Sequence, residues 1–206
     1  MEPLTAEECR VLGCLAEKEA TVPDTYPLTL NALRQACNQS SNRHPVVSYD
    51  ESTIVRTLDG LKERKLVRFV HPSHGERTTK YRHVLDEALD LEPPELAVIT
   101  VLLLRGPQTT AELRTRTERH WAIPSLNEVE SVLSRVSARD EPLAVELPRQ
   151  PGQHQARWAH LLAGEPSVPE EGTVEHSGRT DRVAELEDRV ADLATRLARL
   201  ESELGH

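Results

Sequence analysis

One structural plan occurs twice in this chain at different lengths, and that duplication narrows its fold more than any single residue does. Leu4, Val11 and Leu15 return as Leu91, Val98 and Leu102, at an offset of 87. Pro27, Thr29, Leu33 and Arg34 return as Pro107, Thr109, Leu113 and Arg114, at an offset of 80. Ile54, Leu58 and Leu61 return as Val129, Leu133 and Val136 at 75, and Leu66, Tyr81 and Leu85 return as Leu143, Trp158 and Leu162 at 77. Offsets that change in steps between intact blocks are what loop insertions do to two copies of one fold. Each copy reads as three helices followed by a two-stranded hairpin.

That plan predicts a mainly α protein with small β wings, an α+β class. Two tandem winged helix-turn-helix domains are expected over residues 1–87 and 88–162, then a linker over 163–180 and a coiled-coil helix over 181–206. In the first copy, Thr5 and Glu8 form a capping box that opens a helix running to about Ala20. Pro23 and Pro27 then stop helix propagation, and a second helix is expected from about Thr29 to Cys37. Ser48 and Glu51 read as a further capping box, opening a third helix that ends near Arg64 and buries Ile54, Val55, Leu58 and Leu61. Leu66–Val70 and Lys80–Leu85 read as wing strands, with Pro72 and Gly75 at the tip. In the second copy Pro94 suits the first helical turn, Thr109 or Thr110 caps the next helix, and Ser125 with Glu128 caps the third. Its strands are expected over about Leu143–Leu147 and Arg157–Leu162. The run Leu96–Leu104 is apolar around its whole circumference, so that helix has to be buried on more than one side. The two copies are therefore expected to form one block.

Beyond the second copy, Gly164, Pro166, Pro169, Gly172 and Gly178 give a linker composition. Val183, Leu186, Val190, Leu193, Leu197, Leu200 and Leu204 then recur at alternating spacings of 3 and 4. Val at the a positions and Leu at d favour two parallel strands. Arg182 and Arg196 at g can meet Glu187 and Glu201 at e of a parallel partner, so a homodimer is expected. The competing reading is an amphipathic helix folded back on the body of the protein.

The net charge of −9 disfavours a nucleic-acid partner only until it is mapped. Residues 1–87 hold 12 basic and 13 acidic side chains, residues 88–163 hold 8 and 10, and residues 164–206 hold 5 and 11. Between Asn31 and Leu85 there are 10 basic and 5 acidic residues, so one face of the first copy can favour phosphate. The three cysteines, Cys9, Cys14 and Cys37, form no Cys-x-x-Cys pair and read as small buried apolar groups. The N-terminus lacks a basic start and an apolar core, and the longest apolar run is too short to span a bilayer. A cytoplasmic protein with no membrane contact is expected.

Several strings resemble the YceH-like family of uncharacterised bacterial proteins. They are Cys14-Leu15-Ala16-Glu17-Lys18, Pro23-Asp24-Thr25-Tyr26-Pro27-Leu28-Thr29-Leu30-Asn31-Ala32-Leu33, Ala36-Cys37-Asn38-Gln39-Ser40-Ser41-Asn42-Arg43, Leu102-Leu103-Leu104-Arg105-Gly106-Pro107-Gln108-Thr109 and Glu112-Leu113-Arg114-Thr115-Arg116-Thr117. The likeness covers roughly residues 4 to 162. It implies tandem winged helices in a bacterial cytoplasmic protein and supplies no activity or site residues. The heptad tail lies outside it.

No glycine-rich phosphate loop, Gly-x-Ser-x-Gly or His-Glu-x-x-His occurs, so neither an enzyme nor a cofactor is expected. His71 and His74 lack a Cys or acid set at ligand spacing, so no metal is expected either. DNA binding by the first copy is the leading expectation. Its third helix would enter the major groove, with Arg56 on a guanine edge and Thr53 on a base or phosphate. Arg68, Arg77, Lys80 and Arg82 of the wing, together with Arg43, would grip the backbone. Against this, Asp50, Glu51, Asp59 and Glu63 make the helix face acidic. The competing expectation is a protein-interaction adaptor. Copy one is longer before its second and third helices, and extra loops on a fixed frame usually carry what is specific to a protein. Thr21–Pro27 and Asn38–Val47 are thus candidate functional loops, the second through Asn38, Gln39, Asn42, Arg43 and His44. The plainer alternative is that these amides only cap helix ends.

Overall fold

The computed structural model describes residues 2–71, 78–150, 153 and 155–166. Arg77, His74, the wing tip and the coiled-coil seam from Val183 to Leu204 lie outside the described residues. Met1–Pro166 forms one compact unit.

The chain opens with α1 (Ala6–Thr21), a 3-10 turn (Pro23–Thr25), β1 (Leu28–Thr29), α2 (Leu30–Cys37) and α3 (Glu51–Glu63). It continues with β2 (Val67–Val70), β3 (Lys80–His83) and a short α4 (Leu85–Leu89). The second set is α5 (Pro93–Arg105), α6 (Thr110–Thr117), α7 (Leu126–Ser137), β4 (Ala144–Leu147) and β5 (Arg157–His160). The class is α+β, with seven α-helices and two small antiparallel sheets among the described residues: β1-β3-β2 and β4-β5. No helix among them is long and apolar enough to cross a membrane.

The sequence offsets reappear in the strand register. Leu28 pairs with Tyr81, and their counterparts 80 and 77 residues on, Gln108 and Trp158, form an isolated antiparallel bridge. Caps start the helices where side chains can satisfy free backbone donors. Thr5 and Glu8 close a capping box at α1, and Thr109 and Glu112 do the same at α6. Ser125 caps α7.

The core is shared between the two sets. Residues Ala97 to Leu104 of α5 are all buried, and α1 packs along α5. Gly13 makes that approach possible, because a Cβ there would stand 2.8 Å from Cγ and Cδ2 of Leu104. The Leu4 amide also donates to the Leu162 carbonyl at 2.7 Å, tying the start of the first set to the end of the second.

Three expectations are corrected. The cap of α3 is Asp50, whose carboxylate accepts from the Thr53 amide at 2.8 Å, not Ser48. Asn38 explains the shift: its amide donates to the Tyr49 carbonyl and accepts from the Tyr49 amide, both at 2.8 Å, which keeps Tyr49 out of the helix. Val55 is 38% exposed and Thr57 takes the inward position. Finally, β3 ends at His83, because Nδ1 of His83 accepts the Leu85 amide at 3.1 Å and turns the chain into α4.

Candidate functional site: the loop after the second helix

The loop from Asn38 to Val47 lies where the two sets of elements meet. The His44 amide donates to the Leu104 carbonyl at the end of α5 at 2.8 Å, and Arg105 bonds the Asn42 side chain. Asn42 sits at φ 59°, the left-handed region that Asn tolerates better than most residues.

Two buried guanidiniums hold this loop from beneath. Arg43 places all five N–H donors on internal acceptors: the Ala36 carbonyl at 3.0 Å, the Asn42 carbonyl at 2.9 Å, Gln39 Oε1 at 2.8 Å and both oxygens of Glu17. Its side chain has no solvent exposure, which corrects the expectation that it reaches out to phosphate. Glu17 is held below the usual carboxylate range: burial pushes it up, but the bonds and charge of Arg43 outweigh that, with help from Lys18. Arg10, also buried, donates to the carbonyls of Cys37 and Pro45, one on each side of the loop.

The loop is therefore built from inside, and its outer side chains sort accordingly. Asn38 is spent on Tyr49, and Gln39 is shared between Arg43 and, at 3.5 Å, Lys18. Gln39, Ser40, Ser41, Asn42, His44 and Val46 are exposed. The turn after α6 approaches from the second set. His120 is there, half-buried and held below its ordinary value by burial first, with Arg119, Arg43 and Arg105 also lowering it and Glu17 opposing. Its neighbour Trp121 is 49% exposed.

Among the described residues, the side chains expected to contact DNA do not share one surface. Arg68 and Arg82 face each other across β2 and β3, and both bond Glu87 of α4, at 2.8 and 3.2 Å. Lys80 alternates onto that same face, while Phe69 and Tyr81 take the opposite one, with Lys62 of α3 over the Phe69 ring. The wing cations thus sit on the face of the sheet turned away from α3. Arg56 is exposed on α3 and makes a 3.4 Å contact with Thr53 Oγ1. Around it stand Glu51, Asp59 and Glu63, all exposed. Asp50, also exposed, is held below its ordinary value by the Thr53 backbone and side chain and by Ser52.

Sequence reasoning singled out the loop and missed what supports it. Arg10 and Glu17 were not candidates. The available signal was Arg10 itself, a charge set within the apolar stretch Cys9 to Leu15, where a helix face has no water to offer it. Among the described residues no group of three or more His, Cys, Asp or Glu side chains could hold a metal ion.

The family described as "Protein of unknown function, DUF480" matches residues 4–153. A UPF0502 protein of Geotalea uraniireducens is 52% identical over 188 residues, which span 87% of this chain and 85% of the relative. A second, from Geobacter sulfurreducens, is 49% identical over the same shares. A UPF0502 protein of Chromobacterium violaceum is 46% identical over 186 residues, 89% of this chain and 84% of its own.

Proposed function

The chain belongs to the DUF480 family, whose description assigns no function, and we propose that it is a non-enzymatic protein-interaction adaptor built on two tandem winged helix-turn-helix units of the YceH-like kind. The supporting observation is where the cations go. Arg43 spends every donor inside, Arg68 and Arg82 share one carboxylate, and the exposed face of α3 carries more acids than bases. A duplex-binding face needs unspent cations on one side, because phosphate neutralisation supplies most of its affinity. The buttressed 38–47 loop instead presents amides, hydroxyls, His44 and Val46 to solvent. This is a mixed surface suited to a protein partner.

DNA binding with a regulatory role is the second reading, and Arg56 favours it. Its guanidinium is exposed on the outward face of α3 with only a weak internal contact, so it is available to a guanine edge. A salt titration on random duplex DNA separates the readings. The adaptor predicts no saturable binding even at low ionic strength. Binding that falls steeply with salt, and weakens in Arg56→Ala, Arg68→Ala and Lys80→Ala, would overturn it. The proposed cellular setting is the bacterial cytoplasm.

A further inference from the structure

One stripe of α3 turns toward the first sheet. Glu51, Val55, Asp59 and Lys62 follow one another at spacings of 4, 4 and 3, which sets them in line on a helix. Lys62, at the end of the stripe, reaches the sheet, with Nζ 4.3 Å from the centroid of the Phe69 ring. Phe69 of β2 pairs with Tyr81 of β3, and their rings meet edge to face at 4.9 Å between centroids. Burial first, then the charges of Asp59 and Glu51, push the Tyr81 phenol up, so both carboxylates lie within electrostatic reach of that ring. Stripe and rings therefore form the two sides of one groove.

The groove is open and its charge is one-sided. Val55, in the middle of the stripe, is 38% exposed, and Phe69 and Tyr81 are only half-buried. Glu51 and Asp59 are exposed, and neither has an ion-pair partner among the described residues. Lys62 already lies on a ring, and Arg68, Lys80 and Arg82 alternate onto the other face of the sheet. The second set provides the contrast. At the same place it has a cleft of about 490 Å³ lined by Leu126, Glu130, Glu146 and Arg149 among others. There Glu130 stands where the first set has Val55, and Glu146 where it has Phe69, so the apolar anchor is missing.

We propose that the groove between α3 and the β2–β3 hairpin docks a basic segment of a partner protein, with an apolar side chain on Val55 and a flanking Lys or Arg against Tyr81, between Glu51 and Asp59. This rests on the adaptor function proposed above and gives the adaptor a second face beside the 38–47 loop. Aromatic and aliphatic anchors inside a polar rim are the usual make-up of a protein-binding patch. A cation placed there gains from the ring and from two carboxylates at once. The same two charges repel phosphate, so what favours a Lys- or Arg-bearing segment disfavours a duplex.

The test pans a phage library of random linear peptides against the immobilised full chain and measures the enriched peptides by fluorescence anisotropy. The expected consensus sets Lys or Arg beside an apolar or aromatic residue. Affinity should fall by about tenfold or more in Glu51→Lys with Asp59→Lys, and likewise in Val55→Asp. It should stay unchanged in Glu130→Lys with Glu146→Lys, which alters the cleft of the second set. The altered side chains are exposed, and far-ultraviolet dichroism checks that each variant folds. An acidic or uncharged consensus, or no enrichment at all, would overturn the proposal. Peptides that bind both α3 variants at full affinity but are lost in Asn42→Ala with His44→Ala would overturn the groove and leave the adaptor reading in place. Displacement of the peptides by duplex DNA would overturn both. A light-scattering mass that drops in Glu51→Lys with Asp59→Lys would overturn the basic partner in favour of a second copy of the chain.

Discussion

His160 shows how a single ring couples stability to pH. It sits on β5 opposite Ala144, with Nδ1 buried and lacking a protein partner, and burial lowers its pKa from 6.5 to about 4. Above 6.5 the ring is neutral in both the folded and the unfolded chain, so it adds no pH dependence there. As pH falls from 6.5 toward 4 the unfolded chain binds a proton that the folded one refuses. Stability should then decline by up to about 3 kcal/mol and level off below the folded value. Urea unfolding of wild type and His160→Leu at pH values across that window checks this. The difference between the two isolates His160 from Glu17, whose depressed carboxyl loses its contribution only at lower pH. Parallel pH profiles would sink the assignment. The same scale shows where sequence reading ran out. Arg43 was legible as part of a distinctive loop, but charge alone does not say whether a guanidinium faces water or a buried carboxylate twenty-six positions earlier. The most conspicuous cation of that loop points inward.

At the scale of elements, the contact of α1 with α5 is set by one missing side chain. Gly13→Ala gains helix propensity and loses unfolded-state freedom, together worth about 0.5–1 kcal/mol. Against that, its Cβ would meet Leu104 at 2.8 Å and Cβ of Leu103 at 3.2 Å, and both leucines are buried with little room to move. Overpacking of this kind typically costs about 1–3 kcal/mol, so the variant should be less stable by about 1 kcal/mol. Gly13→Val should be worse, by thermal or urea unfolding; an Ala variant more stable than wild type would show that the helices part easily. Most elements were legible because their signals are local: a cap followed by apolar spacing, or a proline stop. The burial of α5 was legible too, since an all-apolar helix admits no wet face. What failed depended on distant partners. Asn38 reaches eleven residues ahead to occupy Tyr49, which moves the start of α3 from Ser48 to Asp50. His83 captures the Leu85 amide, which turns an expected strand end into α4.

For the molecule as a whole, the adaptor reading acquires most of its strength if the chain pairs with itself. The adaptor surface proposed above is small, and weak surfaces gain avidity when two are presented together. The heptad seam from Val183 to Leu204 supplies the means in sequence terms, with Val at a, Leu at d and Arg182 and Arg196 set against Glu187 and Glu201. Its length of about three heptads makes an isolated pair only marginally stable. The dimer should therefore be concentration-dependent rather than permanent. Light scattering of the full chain is expected to give about twice the chain mass at high concentration, declining toward one chain on dilution. Deleting residues 181–206 should give one chain mass at every concentration while leaving far-ultraviolet dichroism of the compact unit in place. An unchanged mass after deletion would remove the seam as the means of pairing, and a single chain mass at all concentrations before deletion would leave the fold-back helix as the better account of the same seven apolar residues.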